Sequence, residues 1–240
     1  MKLYGKNPVF ERLRSRPETI RKIFMQDDFD EAGYVHQKAK KSGLSVYVVP
    51  RSKMIKMTRD FNAQGILIDV DDFTYTDYSD LLDEALAKKL TLIFIDNLND
   101  PQNFGALLRG LACLSGFAVV IASHDCVSIT ETVLRIASGG ENYVKIAKVS
   151  NINSAIRAAK EQGFTIAGTV VKGGESIYEV KFPYPLGVVI GSEQKGIREI
   201  IKKQLDMTVT IPMSIHTMSL NVAAATTIFA YEIIRQKKSR

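Results

Sequence analysis

Ile211-Pro212-Met213-Ser214-Ile215-His216-Thr217-Met218-Ser219-Leu220-Asn221-Val222-Ala223-Ala224-Ala225 is the stretch on which the reading of this chain turns. Val209, Thr210 and Ile211 read as the end of a buried strand, stopped by Pro212, and a loop then leads into a long helix. Ser219 and Asn221 stand at the helix start, where unpaired backbone N–H groups gather, so an N-cap is the plainest role for either. A strand end followed by a helix start is also where open α/β sheets place their ligands.

Two other stretches share that placement. From Leu90 onward strand and helix signals alternate, the mark of an α/β domain with a mainly parallel sheet. Leu92–Ile95 is a short continuous apolar run, as a strand covered on both faces requires. It is followed by Asp96-Asn97-Leu98-Asn99-Asp100-Pro101-Gln102-Asn103-Phe104-Gly105-Ala106-Leu107-Leu108-Arg109, with Asp100 as a cap and Pro101 at the first helical position. Leu186–Ile190 is a second such strand, followed by Gly191-Ser192-Glu193-Gln194-Lys195-Gly196. Phe117–Ala122, Tyr143–Lys148, Phe164–Thr169 and Met207–Ile211 complete the strand signals, and Ser128–Glu131 reads as a capping box. Taken singly, Asn103, Gly105 and Arg109 are ordinary helix residues, and Gly191 and Gly196 are turn glycines. Three polar loops, each at a strand end, are a more specific pattern.

Charge divides the chain. Residues 1–70 hold 14 Lys/Arg against 8 Asp/Glu, residues 71–90 hold 2 against 6, and residues 91–240 hold 16 against 12, within a net charge of +6. A basic N-terminal third suits a module that meets a polyanion. Its signals are a helix with Asn7 as cap and Pro8 at the first helical position, strands at Arg21–Met25, Leu44–Val49 and Gly65–Val70, a helix over Asp28–Ser42 and a short one capped by Ser52. They describe a small α/β domain over residues 1–70 with Arg12, Arg14, Arg16, Lys53 and Lys56 on helices and loops as candidate polyanion contacts. Residues 71–89 read as an acidic interdomain linker carrying one amphipathic helix through Leu81, Leu82 and Leu86, and residues 90–240 as the second domain.

Other classes recede. No run approaches the roughly 18 apolar residues of a membrane helix, and Met1–Gly5 lacks the apolar core of a signal peptide. No membrane partner and a cytoplasmic location are expected. Cys113 and Cys126 are read as free buried thiols in a reducing compartment. His36, His124 and His216 are scattered, so no metal site is expected.

Asn99-Asp100-Pro101-Gln102-Asn103-Phe104-Gly105-Ala106-Leu107-Leu108-Arg109, Ile190-Gly191-Ser192-Glu193-Gln194-Lys195-Gly196-Ile197 and Ile211-Pro212-Met213 with Ser219–Ala225 resemble, in order, the three motifs of the SpoU/TrmH family. These are RNA ribose 2′-O-methyltransferases of the SPOUT class. Residues 2–70, opening Tyr4-Gly5-Lys6-Asn7-Pro8-Val9, resemble the family's substrate-binding domain, similar in fold to ribosomal protein L30e and typical of the bacterial 23S rRNA guanosine branch. The resemblance implies an N-terminal L30e-like small α/β domain and a C-terminal α/β-knot domain, trefoil-knotted around a mainly parallel sheet. It also implies S-adenosylmethionine as methyl donor without a metal, held around Gly168, Thr169, Gly191, Gly196, Ile211, Met213 and Leu220. Arg109 is the residue it assigns to the ribose 2′-hydroxyl, with Asn103, Glu193, Ser219 and Asn221 completing the site. A guanidinium is a poor general base, so two roles stay open: Arg109 loses its proton on desolvation, or it clamps the phosphate and polarises the hydroxyl.

The helix after Asn221 carries one apolar stripe through Leu220, Ala224, Thr227, Tyr231 and Ile234 and another through Val222, Ala225, Phe229 and Ile233. Two apolar faces call for two partners, and a homodimer through the C-terminal helix is expected, in line with the family's habit. Ile215 stands where the family usually has glycine, and the family's frequent His-Gln-Gly appears as Ala63-Gln64-Gly65. The expected reaction is 2′-O-methylation of a guanosine ribose in 23S rRNA. The alternatives are tRNA or another rRNA site, or an inactive RNA-binding homologue.

Overall fold

The computed structural model describes residues 1–124, 126–192, 195–215 and 219–239. They group into two compact units, the first made of Met1–Thr74 with Ile129–Tyr143, the second of Tyr75–Ser128 and the chain from Val144 onward.

The first unit is built on a four-stranded sheet of β1 (Lys2–Tyr4), β2 (Ile20–Gln26), β3 (Val46–Val49) and β4 (Ile66–Val70), in the order β1-β4-β2-β3. β4 is antiparallel to both neighbours, and Ile68 stands opposite Leu3 on one side and Ile23 on the other. Ile66, Leu67 and Ile68 are all fully buried, so both faces of β4 are covered. Leu67 packs with Val49, Met54 and Ala63 under α3 (Arg51–Thr58). Helices α1 (Lys6–Ser15) and α2 (Ala32–Lys41) bury Val9 with Leu13 and Val35 with Ala39, each pair four residues apart on one helical face. The helix Glu131–Ala137, α6 in chain order, belongs to this unit and buries Val133, Leu134 and Ala137. The Ser128–Glu131 capping box is shifted: Thr130 is the cap, accepting from the Val133 N–H, because the Ser128 hydroxyl accepts from Lys148 Nζ at 2.9 Å. Asn7 is likewise not a cap; α1 starts at Lys6, two residues before Pro8, and Gly5 at φ 98 is its cap.

The second unit is a seven-stranded sheet in which every paired neighbour is parallel. Its strands are β5 (Thr91–Ile95), β6 (Phe117–Ala122), β7 (Lys145–Val149), β8 (Thr165–Thr169), β9 (Glu175–Ser176), β10 (Leu186–Ile190) and β11 (Met207–Thr210), ordered β7-β6-β5-β10-β8-β11-β9. All of β5 and β10 is buried, as their continuous apolar runs require. The chain fills one side of β5 first and then returns to lay β8, β10 and β11 on the other, which opens a switch point beside β10. Helices α4 (Tyr78–Ala87), α5 (Pro101–Leu114), α7 (Ile152–Glu161), α8 (Glu199–Lys202) and α9 (Val222–Lys238) complete it. The acidic stretch 71–89 therefore contains a structural helix: Asp77 caps α4, and Leu81, Leu82 and Ala85 enter this unit's core.

α5 and α9 pack against each other. A Cβ on Gly110 would stand 2.6 Å from Thr227 Oγ1, so only glycine permits this approach. The buried stripe of α5 runs through Phe104, Leu107, Leu108 and Leu111, leaving Gln102, Ala106, Arg109 and Cys113 on the exposed face. Cys113 is thus exposed rather than buried, because it falls three and four residues after Gly110 and Arg109 and not on the apolar stripe.

Candidate active site

A cleft of about 300 Å³ lies outside the carboxyl ends of β8, β10 and β11. Thr169, Gly191, Gly196, Ile211, Met213 and Leu220, all expected donor-site residues, line it together with Ser219. Gly168 does not. It lies beneath, where an added Cβ would be 2.3 Å from Leu205 Cδ1, so its small size serves packing. Gly191 has the sharper constraint: a Cβ there would meet the backbone of Gly196 and Ile197 at 2.3 and 2.4 Å. Ser192 and Gly196 exchange backbone hydrogen bonds of 3.2 and 2.9 Å, and Gly196 takes φ +64, closing a tight hairpin over the cleft. Glu193, between those two in sequence, lies outside the described residues.

The loop after β5 is ordered by its own carboxylates. Asp100 caps α5 by accepting from the Gln102 N–H at 2.9 Å, and its second oxygen accepts from Asn103 Nδ2 at 2.9 Å. Asn103 is thereby aimed by the cap. Asp96 is fully buried, and its two oxygens accept from the Arg198 backbone N–H at 2.8 Å and from Arg198 Nε at 2.6 Å. This pair ties the base of the first motif loop to the residue that leaves the Gly191–Gly196 hairpin. Arg109, two turns into α5, is exposed and has no carboxylate within ion-pair distance among the described residues.

At the third motif the capping role and the site role separate. Asn221 caps α9, its side chain accepting from the Ala224 N–H at 2.7 Å, whereas Ser219 faces the cleft. Asn103, Arg109 and Asn221 do not line the cleft. Ile215 is 58% exposed. The lining also includes Val170, Val171, Lys172, Lys195 and Phe229, which sequence reasoning missed. The signal was present in the strand end Thr169-Val170-Val171-Lys172 followed by Gly173-Gly174.

Residues 90–231 match the SpoU rRNA Methylase family model. The chain belongs to that family. Its members are RNA methyltransferases, and residues 2–76 match a model described as RNA 2′-O ribose methyltransferase substrate binding. An uncharacterized tRNA/rRNA methyltransferase of Mycolicibacterium smegmatis is 33% identical over 239 residues, covering 98% of this chain and 76% of the relative. A putative TrmH family tRNA/rRNA methyltransferase of Bacillus subtilis, YacO, is 30% identical, covering 97% and 94%. Among solved structures, the SpoU methyltransferase AviRb of Streptomyces viridochromogenes, in complex with AdoMet, superposes with a TM-score of 0.82 at 18% identity over 100% of this chain and 91% of that one. Family membership does not depend on every cation. Arg12, expected as an RNA contact, is buried instead, its Nη2 paired with Glu141 Oε1 at 2.8 Å and its Nη1 bonded to Thr19 Oγ1 at 3.2 Å. The turn that follows α6 brings Glu141 to it, a tertiary event no local pattern announces. Arg14, Arg16, Lys53 and Lys56 are exposed. No helix among the described residues is long and apolar enough to cross a membrane.

Proposed function

We propose that this family member transfers a methyl group from S-adenosylmethionine to a ribose 2′-hydroxyl of RNA, with a guanosine of 23S rRNA as the target and the cytoplasm as its location. The observation that carries the reading is the cleft at the strand ends, lined by six residues expected to hold the donor and by Ser219. Its chemistry suits the donor: Ile190, Ile197, Leu220 and Phe229 offer apolar cover to a flat ring, while Gly196, with nothing within 4 Å of where a Cβ would stand, leaves its backbone open to close approach. When bound, the donor supplies an already activated methyl group. The chain's own task is to orient the hydroxyl and manage its proton. In this reading Asn103, whose Nδ2 is held by Asp100, orients the substrate. The exposure of Arg109 suits the clamp: a guanidinium presented to solvent can donate to a phosphate of the incoming RNA. The trefoil threading of the C-terminal chain belongs to the same reading.

A homodimer through α9 also belongs to it. Of the two stripes on that helix, Val222, Phe229 and Ile233 of one are buried within the protomer, whereas Leu220 and Tyr231 of the other are exposed, with Ile228 exposed beside them. An apolar face of this kind on a soluble enzyme calls for a second copy. Light scattering should give about twice the 26.7 kDa chain mass, and the chain mass itself would refute the dimer.

Arg109→Ala should abolish methyl incorporation into rRNA while calorimetry shows donor binding close to wild type. Unchanged turnover would remove Arg109 from the reaction. Ribose-methylation mapping on RNA from a deletion strain, with and without complementation, identifies the target nucleotide.

A further inference from the structure

A second pocket lies wholly within the first unit, with a volume of about 460 Å³, between α3, the start of α1 and the 59–65 loop. Its floor is apolar, formed by Phe29, Met54 and Ala63. Its rim carries Phe61, whose side chain is 84% exposed, beside Asn62 and Gln64. A phenyl ring left this open is held there by its loop. Asp60 Oδ1 accepts from the Asn62 N–H at 2.8 Å, and its Oδ2 accepts from Tyr4 Oη and Arg135 Nη1, both at 3.1 Å. Arg59, Gln64 and Gly65 all take positive φ, at 55, 56 and 74°. Gln64 Oε1 accepts from the Lys6 N–H at 2.8 Å, and a Cβ on Gly65 would stand 2.9 Å from both Gln26 Oε1 and Phe29 Cδ2. The loop is preorganised, and what it presents is one aromatic ring with an amide next to it.

The charges around this pocket point away from a bare anion. Lys6 and Arg51 line it, but so do Asp28 and Asp30, and the Lys6 ammonium is already paired with Glu31 at 2.9 Å. Such a lining suits a flat, neutral group that both donates and accepts hydrogen bonds. Arg51 is exposed at the first position of α3, on the same helical face as Ile55, and has no ion-pair partner among the described residues. Lys53 and Lys56 project from other faces of the helix and do not line the pocket.

We propose that this pocket takes one unpaired nucleobase of the RNA substrate, stacked on Phe61 and read along its edge by Asn62, with Arg51 on the adjoining phosphate. Stacking on an exposed aromatic ring, with amide contacts to the base edge, is how proteins hold single-stranded RNA, whereas a base within a duplex cannot reach such a ring. The assignment rests on the RNA reading above.

The test is fluorescence anisotropy of the full-length protein with a labelled single-stranded RNA and with a labelled RNA duplex of equal length, across a range of salt. Phe61→Ala should weaken single-strand binding roughly 5- to 100-fold with an unchanged salt slope. Its duplex binding should not change, and Phe61→Tyr should retain wild-type affinity. Arg51→Ala should instead lower the single-strand salt slope by about 0.7, the signature of one lost phosphate contact. Phe61→Ala binding the single strand as wild type does, or losing as much on the duplex, would overturn the pocket and leave it to a protein partner. Wild-type protein that transfers methyl groups to rRNA while Phe61→Ala binds normally refutes the pocket alone. Wild-type protein that neither binds RNA nor transfers methyl groups refutes the underlying reading as well.

Discussion

Glu141 in the first unit and Asp96 in the second are both carboxylates removed from water, and both meet an arginine. Their settings differ. Arg12 is itself only 6% exposed, and Arg12 Nε and Glu141 Oε2 have no hydrogen-bond partner among the described residues. Burial pushes the Glu141 carboxyl above the usual carboxylate range, although Arg12 pulls the other way. The Arg198 guanidinium is 46% exposed, and both oxygens of Asp96 are satisfied, one by a side chain and one by backbone. The first pair is sunk in a core and carries the full desolvation cost at both ends. The second keeps its cation in contact with water and joins two loops of the candidate active site. The same ion-pair chemistry thus makes an unforgiving core contact in one unit and a loop tie in the other.

The largest effect should come from Arg12→Ala, which strands Glu141 in the core and should cost roughly 3–5 kcal/mol in denaturant unfolding of the first unit. Replacing both partners together by Met and Leu should recover most of that loss, while Arg14→Ala should stay within about 0.5 kcal/mol. An Arg12→Ala protein as stable as Arg14→Ala would show that the pair carries no such penalty. Asp96→Asn should cost less, on the order of 1–3 kcal/mol, because the Arg198 head can turn to solvent. Its distinctive outcome is weaker donor binding by calorimetry, with Arg198→Lys intermediate because the backbone N–H contact survives. Normal donor affinity in Asp96→Asn would sever the proposed link between the two loops.

The smallest effect is in pH. The folded-state carboxyl of Glu141 is raised above its ordinary 4.5, so the folded chain binds more protons than the unfolded chain in the window just above that value. Its contribution is therefore fully present below that value and is lost as pH rises through the raised one. Glu141→Gln should flatten this part of the stability profile in thermal melts, and an unaltered profile would assign the slope to other groups.

Much of this was legible from local pattern. Phe117–Ala122 and Leu186–Ile190 are strands at the residues read from their apolar runs, since a strand covered on both faces leaves no alternation to misjudge. Asp100 and Asn221 cap their helices because each capping bond reaches only two or three residues ahead. Short-range chemistry of that kind is written in the sequence. Ser128 and Asn7 carry cap signals that the fold does not use: the Ser128 hydroxyl accepts from a lysine 20 residues away, and the other helix begins early behind Gly5.

The sequence by itself determined which segments are strands and helices, the parallel character of the second sheet, and the three strand-end loops that mark the family. These depend on periodicity, caps and residue order, all of which act over a few neighbours. Only the tertiary structure decided which of the marked residues meet. It gathered Thr169, Gly191, Gly196, Ile211, Met213, Ser219 and Leu220 around one cleft and placed Gly168 beneath it. It also removed Arg12 from the surface and brought Arg198 to Asp96 across 102 residues. Burial and pairing of charges depend on partners distant in sequence, so an exposed arginine and a buried one look alike until the chain has folded.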